Sequence, residues 1–78
     1  MWHRASSIEL KITGMTCEHC AQHVEDEITA AGAQRVHIDL HPQEVSTVKA
    51  VFRRVPSDED LLAAVARAGD YTVVDIAR

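Results

Sequence analysis

Gly14-Met15-Thr16-Cys17-Glu18-His19-Cys20 contains both cysteines of the 78-residue chain and marks a change in its hydrophobic pattern. The preceding segment, Ile8-Glu9-Leu10-Lys11-Ile12, alternates apolar and polar residues, which predicts a strand with one buried face. The following segment is typical of a helix, because its apolar residues share one face at helical spacing. These residues are Cys20, Val24, Ile28 and Ala31. The cysteine pair is therefore predicted to lie on a strand-to-helix loop.

This first helix is predicted to begin near Thr16 or Cys17, and the Thr16 hydroxyl is a candidate for its cap. Gly32 is predicted to end it, because glycine is favoured just after a helix. The residues Glu25-Asp26-Glu27 lie away from the apolar stripe and are interpreted as a solvated acidic surface.

A hairpin is predicted next. Val36-His37-Ile38-Asp39-Leu40 alternates with its apolar residues inward, and His41-Pro42-Gln43-Glu44 is typical of a turn with proline in second place. The partner strand is expected over residues 45–52. Its pattern favours an inward set of Val48, Ala50 and Phe52.

The sequence after residue 56 predicts a second helix and a final strand. Ser57 can cap the helix, and Asp58-Glu59-Asp60 suits the positive end of its dipole. Gly69 is predicted to end this helix, and a short strand is expected over residues 71–76. The predicted buried stripe of the helix consists of Leu61, Leu62, Val65 and Ala68.

The predicted order is βαββαβ, in which two helices cover one side of a four-stranded antiparallel sheet. This is an α+β fold, a two-layer sandwich, and we expect it to form a single domain over residues 7–78. Residues 1–6 show no periodicity and are predicted to be a flexible tail. With 46% apolar residues, a chain of 78 residues suits one small globular domain.

Charge and composition exclude several classes of function. The net charge of −4 and the lack of a basic run argue against nucleic-acid binding. No apolar stretch is long enough to span a membrane, and residues 1–7 lack the apolar region of a signal peptide. Two close cysteines without such a signal indicate functional thiols in a reducing compartment. We therefore expect a cytoplasmic protein that is not embedded in a membrane.

The spacing of Cys17 and Cys20 brings two sulfur donors within reach of one ion, and thiolates favour Cu(I), Zn(II) and similar soft metals. Cys20 is expected near the helix N-terminus, where backbone N–H groups and the helix dipole stabilise a thiolate. Two thiolates without further donors suit a two-coordinate ion better than a tetrahedral one. Cys17 and Cys20 are therefore the predicted metal ligands.

Two other interpretations of the cysteine pair compete with this one. A Cys-x-x-Cys at a strand-to-helix junction is also typical of thioredoxin-like redox proteins, although this chain is short for that fold. In a zinc-finger arrangement, His37 and His41 would complete a set of four ligands. These histidines flank a predicted strand, however, and five strand residues span about 13 Å, which is too far for one ion. They are therefore predicted to be exposed polar residues.

Two further histidines lie close to the cysteines. His19 lies between them, and His23 lies one helical turn further along. Both are interpreted first as solvated residues near the start of the helix. The alternative is that they act as auxiliary ligands or alter the pKa of the thiols.

Gly14-Met15-Thr16-Cys17-x-x-Cys20 resembles the metal loop of the heavy-metal-associated domain, and the resemblance extends more weakly over about residues 7–76. This family includes bacterial copper chaperones, amino-terminal modules of copper- and zinc-pumping ATPases, and mercury-binding proteins. The resemblance implies a ferredoxin-like fold. It also implies that Cys17 and Cys20 bind the metal and that Met15 packs beneath the loop. Several bacterial copper chaperones resemble this chain in having a histidine at the position of His19.

The family often has Gly-Tyr beside the metal loop, just before the last strand. Here Asp70 separates Gly69 from Tyr71. Tyr71 is therefore predicted either to shield the metal site or to be a half-buried aromatic residue of the strand.

The residues and the resemblance together predict a soluble metallochaperone, either a monomer or a dimer bridged by the metal. It is expected to bind one Cu(I) and to pass it by thiol exchange to a copper-transporting P-type ATPase or another Cys-x-x-Cys domain. Hg(II) and Zn(II) are the alternative metals. A mercury-resistance module, an amino-terminal domain of a heavy-metal ATPase and a dithiol oxidoreductase are the alternative functions. No catalytic constellation accompanies the dithiol, so an enzyme is not expected.

The amino-terminal sequence Met1-Trp2-His3 predicts a separate site for an oxidised metal. If the amino terminus is free, its amine, two backbone amides and the His3 imidazole can enclose a square-planar Cu(II) or Ni(II). The alternative is a histidine in a tail with no such role.

Overall fold

The computed structural model describes residues 5–78. The elements are β1 Ser6–Thr13, α1 Glu18–Ala30, β2 Ala33–Asp39, β3 Ser46–Phe52, α2 Asp58–Ala68 and β4 Thr72–Ala77. The predicted βαββαβ order is thus confirmed. The predicted metal site at Met1-Trp2-His3 lies outside the described residues. Within residues 5–78, no helix is both long enough and apolar enough to cross a membrane.

The four strands form one antiparallel sheet in the order β2-β3-β1-β4. β1 and β3 are the central strands, and their register places Leu10 opposite Val48. The two helices pack against one face of this sheet, so the fold is the ferredoxin-like α+β sandwich that was predicted. Because β1 ends and α1 begins at the same end of the sandwich, the cysteine loop lies at one pole of the molecule.

The core between sheet and helices contains the strand residues that alternation predicts. Their side chains are at most 2% exposed, and they are Ile8, Leu10 and Ile12 of β1 and Val48, Ala50 and Phe52 of β3. The helices contribute Val24 and Ile28 from α1 and Leu61, Ala64 and Val65 from α2.

The other face of the sheet is polar. Glu9 lies opposite Lys49, and Lys11 lies opposite Asp75, so oppositely charged residues are neighbours across the strands. His37 lies opposite Lys49 on this face and is exposed, as predicted.

The start of α1 differs from the prediction. Its N-cap is Cys17 rather than Thr16, and the Cys17 side chain makes no capping hydrogen bond. The reason is that Met15 enters the core, where it is 1% exposed, which leaves Thr16 in the exposed loop one residue before the cap. The Cys17 thiol is therefore available for other chemistry. At the other end, Gly32 follows the helix with φ +115°, so the predicted stop is confirmed.

α2 confirms one prediction and corrects another. Ser57 Oγ accepts a hydrogen bond from the Asp60 backbone N–H at 3.2 Å, as predicted for the cap. Leu62 was predicted to be buried, and this is wrong, because its side chain is 45% exposed. The buried stripe of α2 is centred near Leu61, and at about 100° per residue Leu62 lies beyond the edge of this stripe. Ala64 occupies the buried position instead.

Candidate metal centre

The backbone of the loop sets the position of the cysteines. Gly14 follows β1 with φ +99°, a conformation that glycine adopts readily, and the chain then turns so that Met15 is buried. Cys17 has an extended backbone at the N-cap of α1, and Cys20 lies in the first turn of the helix. One cysteine therefore belongs to the loop and the other to the helix. The burial of Met15 agrees with its predicted place beneath the loop.

The two sulfurs lie close enough to share an ion. Cys17 Sγ and Cys20 Sγ are 3.5 Å apart, and both residues are free thiols. Metal–thiolate bonds of about 2.3 Å allow two sulfurs on one ion to be up to about 4.6 Å apart, so a small opening of the loop suffices. Cys17 is exposed and Cys20 is half-buried, so an ion can approach from solvent. The donor set therefore fits a soft metal ion.

The environment of Cys20 favours its thiolate form. Its pKa is lowered to about 6, chiefly by a hydrogen bond from the Tyr71 hydroxyl and then by backbone hydrogen bonding at Thr16 and by the Cys17 thiol. The same contact with Cys20 raises the pKa of Tyr71 to about 12. Cys20 is therefore mostly a thiolate at neutral pH, and the thiolate is the form that binds a metal.

Tyr71 lies in the loop just before β4 rather than in the strand, which begins at Thr72. Its ring packs over two glycines: a Cβ atom added at Gly69 would lie 2.8 Å from the ring, and one added at Gly14 would lie 3.5 Å from it. The interposed Asp70 thus does not prevent Tyr71 from reaching the metal loop. The sequence placed Gly69 at the end of α2 and in an interrupted Gly-Tyr pattern, and it did not predict the contact of Gly69 with the Tyr71 ring. The signal available for it was the Gly-x-Tyr spacing.

The histidines do not join the cysteines. His19 and His23 are exposed on α1, and His41 Nε2 lies 3.2 Å from Asp39 Oδ2 in the β2–β3 turn region. Among residues 5–78, no three His, Cys, Asp or Glu side chains converge on a possible ion. The zinc-finger arrangement with His37 and His41 is therefore not formed.

A shallow polar groove of about 220 Å³ lies elsewhere, on the open face of the sheet. Its lining residues are Glu9, His37, Asp39, Thr47 and Lys49. This groove contains neither cysteine, and the metal loop at the pole of the molecule is exposed at Thr16 and Cys17.

Comparison with known proteins agrees with the geometry. The family model of the heavy-metal-associated domain matches residues 9–70. The chain therefore belongs to the heavy-metal-associated domain family, which defines it as a protein that binds heavy metals and takes part in their handling. Members of this family interact with other metal-binding domains or with transporters. A comparison with curated proteins gives no match, and a comparison with solved structures gives none.

Proposed function

We propose that this protein is a cytoplasmic metallochaperone that carries one Cu(I) between Cys17 and Cys20. The observation that supports this most is the pair of free thiols, 3.5 Å apart where the exposed loop meets the first turn of α1. Within the described residues no His, Asp or Glu side chain joins them, and two-coordinate sulfur is suited to a soft ion. The protein is not an enzyme in this proposal, because its thiols bind cargo and leave it chemically unchanged.

Transfer to a partner follows from the different settings of the two thiols. A thiolate of an incoming Cys-x-x-Cys domain attacks Cu(I) and makes it three-coordinate. Cys17 then leaves, because it lies in the exposed loop and makes no capping hydrogen bond. Cys20 leaves last, because it is half-buried in the first turn of α1. The partner proposed here is a copper-transporting P-type ATPase or another Cys-x-x-Cys domain, and the protein acts as a monomer.

Metal competition tests this proposal. The anaerobically purified protein is titrated with Cu(I), Zn(II) and Hg(II) against chromophoric chelators, together with the variants Cys17→Ser and Cys20→Ser. Of the physiological ions Cu(I) and Zn(II), we expect Cu(I) to bind more tightly, at one ion per chain. Either variant should lose this binding, because a hydroxyl is a poor donor for a soft ion. Thr16→Ser is the matched control, since it changes the same loop and keeps both thiols.

Three results would contradict the proposal in different ways. Unchanged Cu(I) affinity in Cys17→Ser or Cys20→Ser would exclude the cysteine site. A preference for Hg(II) with no Cu(I) transfer to a Cys-x-x-Cys acceptor would favour a mercury-handling module. Turnover in an insulin-reduction assay would favour a dithiol oxidoreductase.

A further inference from the structure

We propose that His19 and His23 form a second metal site, for a borderline divalent ion such as Zn(II), on the outer face of α1. The two residues are four apart within one continuous helix, Glu18–Ala30. Residues at this spacing are neighbours on the helix surface, with Cβ atoms about 6 Å apart, so both imidazoles can bind one ion. A histidine pair with this spacing on a helix is a recognised zinc-binding arrangement.

The site is separate from the cysteine pair. Val24 is fully buried and Cys20 packs against the core, so these residues define the inner face of α1. His19 and His23 each precede one of them by one position, which turns their side chains by about 100° away from that face. Both histidines are exposed. The pair therefore faces solvent and can bind an ion without disturbing the packing.

The carboxylates of the next helical turn already have partners. Gln22 Nε2 donates to Asp26 Oδ1 at 2.9 Å, and Arg67 Nε donates to Glu27 Oε1 at 2.9 Å. The two imidazoles are therefore the protein donors of this site, and water completes the coordination of the ion.

The charge of α1 favours a cation. The helix contains four acidic residues and no lysine or arginine. The resulting negative potential attracts divalent ions and offsets the unfavourable positive end of the helix dipole. Neutral imidazoles prefer Zn(II), Ni(II) and Cu(II), whereas thiolates prefer Cu(I). The two sites of α1 thus take ions of different softness.

Zinc titration of a protein without thiols tests the second site. The full chain with Cys17→Ser, Cys20→Ser and His3→Gln is titrated with Zn(II) alone, and the imidazole resonances are followed by NMR. We expect the signals of His19 and His23 to shift together and to saturate at one ion per chain. Adding His19→Gln or His23→Gln should weaken binding roughly a hundredfold, since one anchored ligand raises the effective concentration of the other.

Matched controls make the test decisive. His37→Gln and His41→Gln remove exposed histidines elsewhere and should leave the affinity for Zn(II) unchanged. Amide spectra verify that α1 stays folded in each variant. The proposal is overturned if His19→Gln or His23→Gln binds Zn(II) as tightly as the parent, or if no imidazole signal shifts. Because the protein tested has no thiols, either outcome is independent of Cu(I) binding at the cysteines.

Discussion

Hydrogen bonding from the Tyr71 hydroxyl is the largest cause of the lowered pKa of the Cys20 thiol. Tyr71 follows α2, whereas Cys20 lies in the first turn of α1. The contact is possible because the loops after β1 and before β4 lie at the same pole, where Thr13 pairs with Thr72. The fold therefore sets the charge of a predicted metal ligand from a distant part of the chain.

Tyr71→Phe is expected to raise the pKa of Cys20 above about 6, because the ring remains and only the hydrogen bond to the thiolate is lost. The measurement is the pH dependence of Cys20 alkylation in a Cys17→Ser background, quantified by mass spectrometry. The control is the Cys17→Ser protein that retains Tyr71. An unchanged midpoint would show that the hydroxyl does not stabilise the thiolate.

The interaction of Tyr71 with Cys20 also predicts how the stability of the fold depends on pH. Since the pKa of Cys20 is about 6 in the folded chain and about 8.5 for an unperturbed thiol, the unfolded state binds more protons between these values. The free energy of unfolding should therefore rise with pH across that interval, and the gain should be lost as pH falls through about 6. Urea unfolding at several pH values measures this slope, which Tyr71→Phe should reduce. An equal slope in both proteins would contradict the assignment.

Gly69→Ala should disturb the same site through packing. A Cβ atom at position 69 would lie 2.8 Å from the Tyr71 ring, so the ring must shift from its observed position. We expect the alkylation midpoint of Cys20 to rise, as in Tyr71→Phe. Gly32→Ala is the control, because its φ of +115° makes alanine unfavourable there while its nearest neighbour is Phe52. A shift of equal size in both variants would indicate general destabilisation instead.

The two cysteines should differ in reactivity. Cys17 is exposed in the loop, and Cys20 is half-buried in the helix. After correction for the fraction of thiolate, Cys17 in the metal-free protein should be alkylated faster than Cys20, as expected of the ligand that enters and leaves first. Peptide mapping by mass spectrometry at several pH values gives both rates. A faster corrected rate for Cys20 would reverse the order of ligand exchange.

Alternation and capping predicted the fold because they depend on local properties of the chain. Val48, Ala50 and Phe52 alternate with residues of the polar face, and Ser57 needed only the N–H of a residue three positions later. The site was less predictable. The contact of Tyr71 with Cys20 depends on how two loops distant in sequence meet, which a spacing pattern does not contain.

The second feature that the sequence did not predict is which face of α2 is buried, as Leu61 and Leu62 show. Leu61 is fully buried, whereas Leu62 is 45% exposed, although both are apolar neighbours. The buried residues of α2 are Leu61, Ala64 and Val65, so the helix is oriented with these side chains inward and Leu62 outward. Which leucine enters the core depends on how α2 packs against the sheet and α1, and the local sequence does not contain this information.

Leu61 and Leu62 give a matched test of the orientation of α2. Leu61→Ala should lower the free energy of unfolding by about 2–5 kcal/mol, because it removes buried methyl groups and leaves a cavity. Leu62→Ala should change it by about 0.5 kcal/mol or less, as for a surface substitution. Urea unfolding of both variants gives the comparison. Similar losses in the two variants would contradict the observed orientation of α2.

The acidic residues near the loop should guide docking of a transfer partner. Glu18 is exposed and directly follows Cys17, and Glu25 lies further along α1. Charges at the edge of an interface mainly affect the association rate and its dependence on salt. Glu18→Gln should therefore slow Cu(I) transfer to a basic Cys-x-x-Cys partner at low salt, and the difference should shrink as ionic strength rises. Stopped-flow transfer kinetics measure this difference.

Glu59→Gln is the control, because it removes the same charge at the start of α2, which lies at the pole opposite the cysteines. A transfer rate independent of ionic strength, or an equal effect of Glu59→Gln, would show that docking does not use the charge beside Cys17.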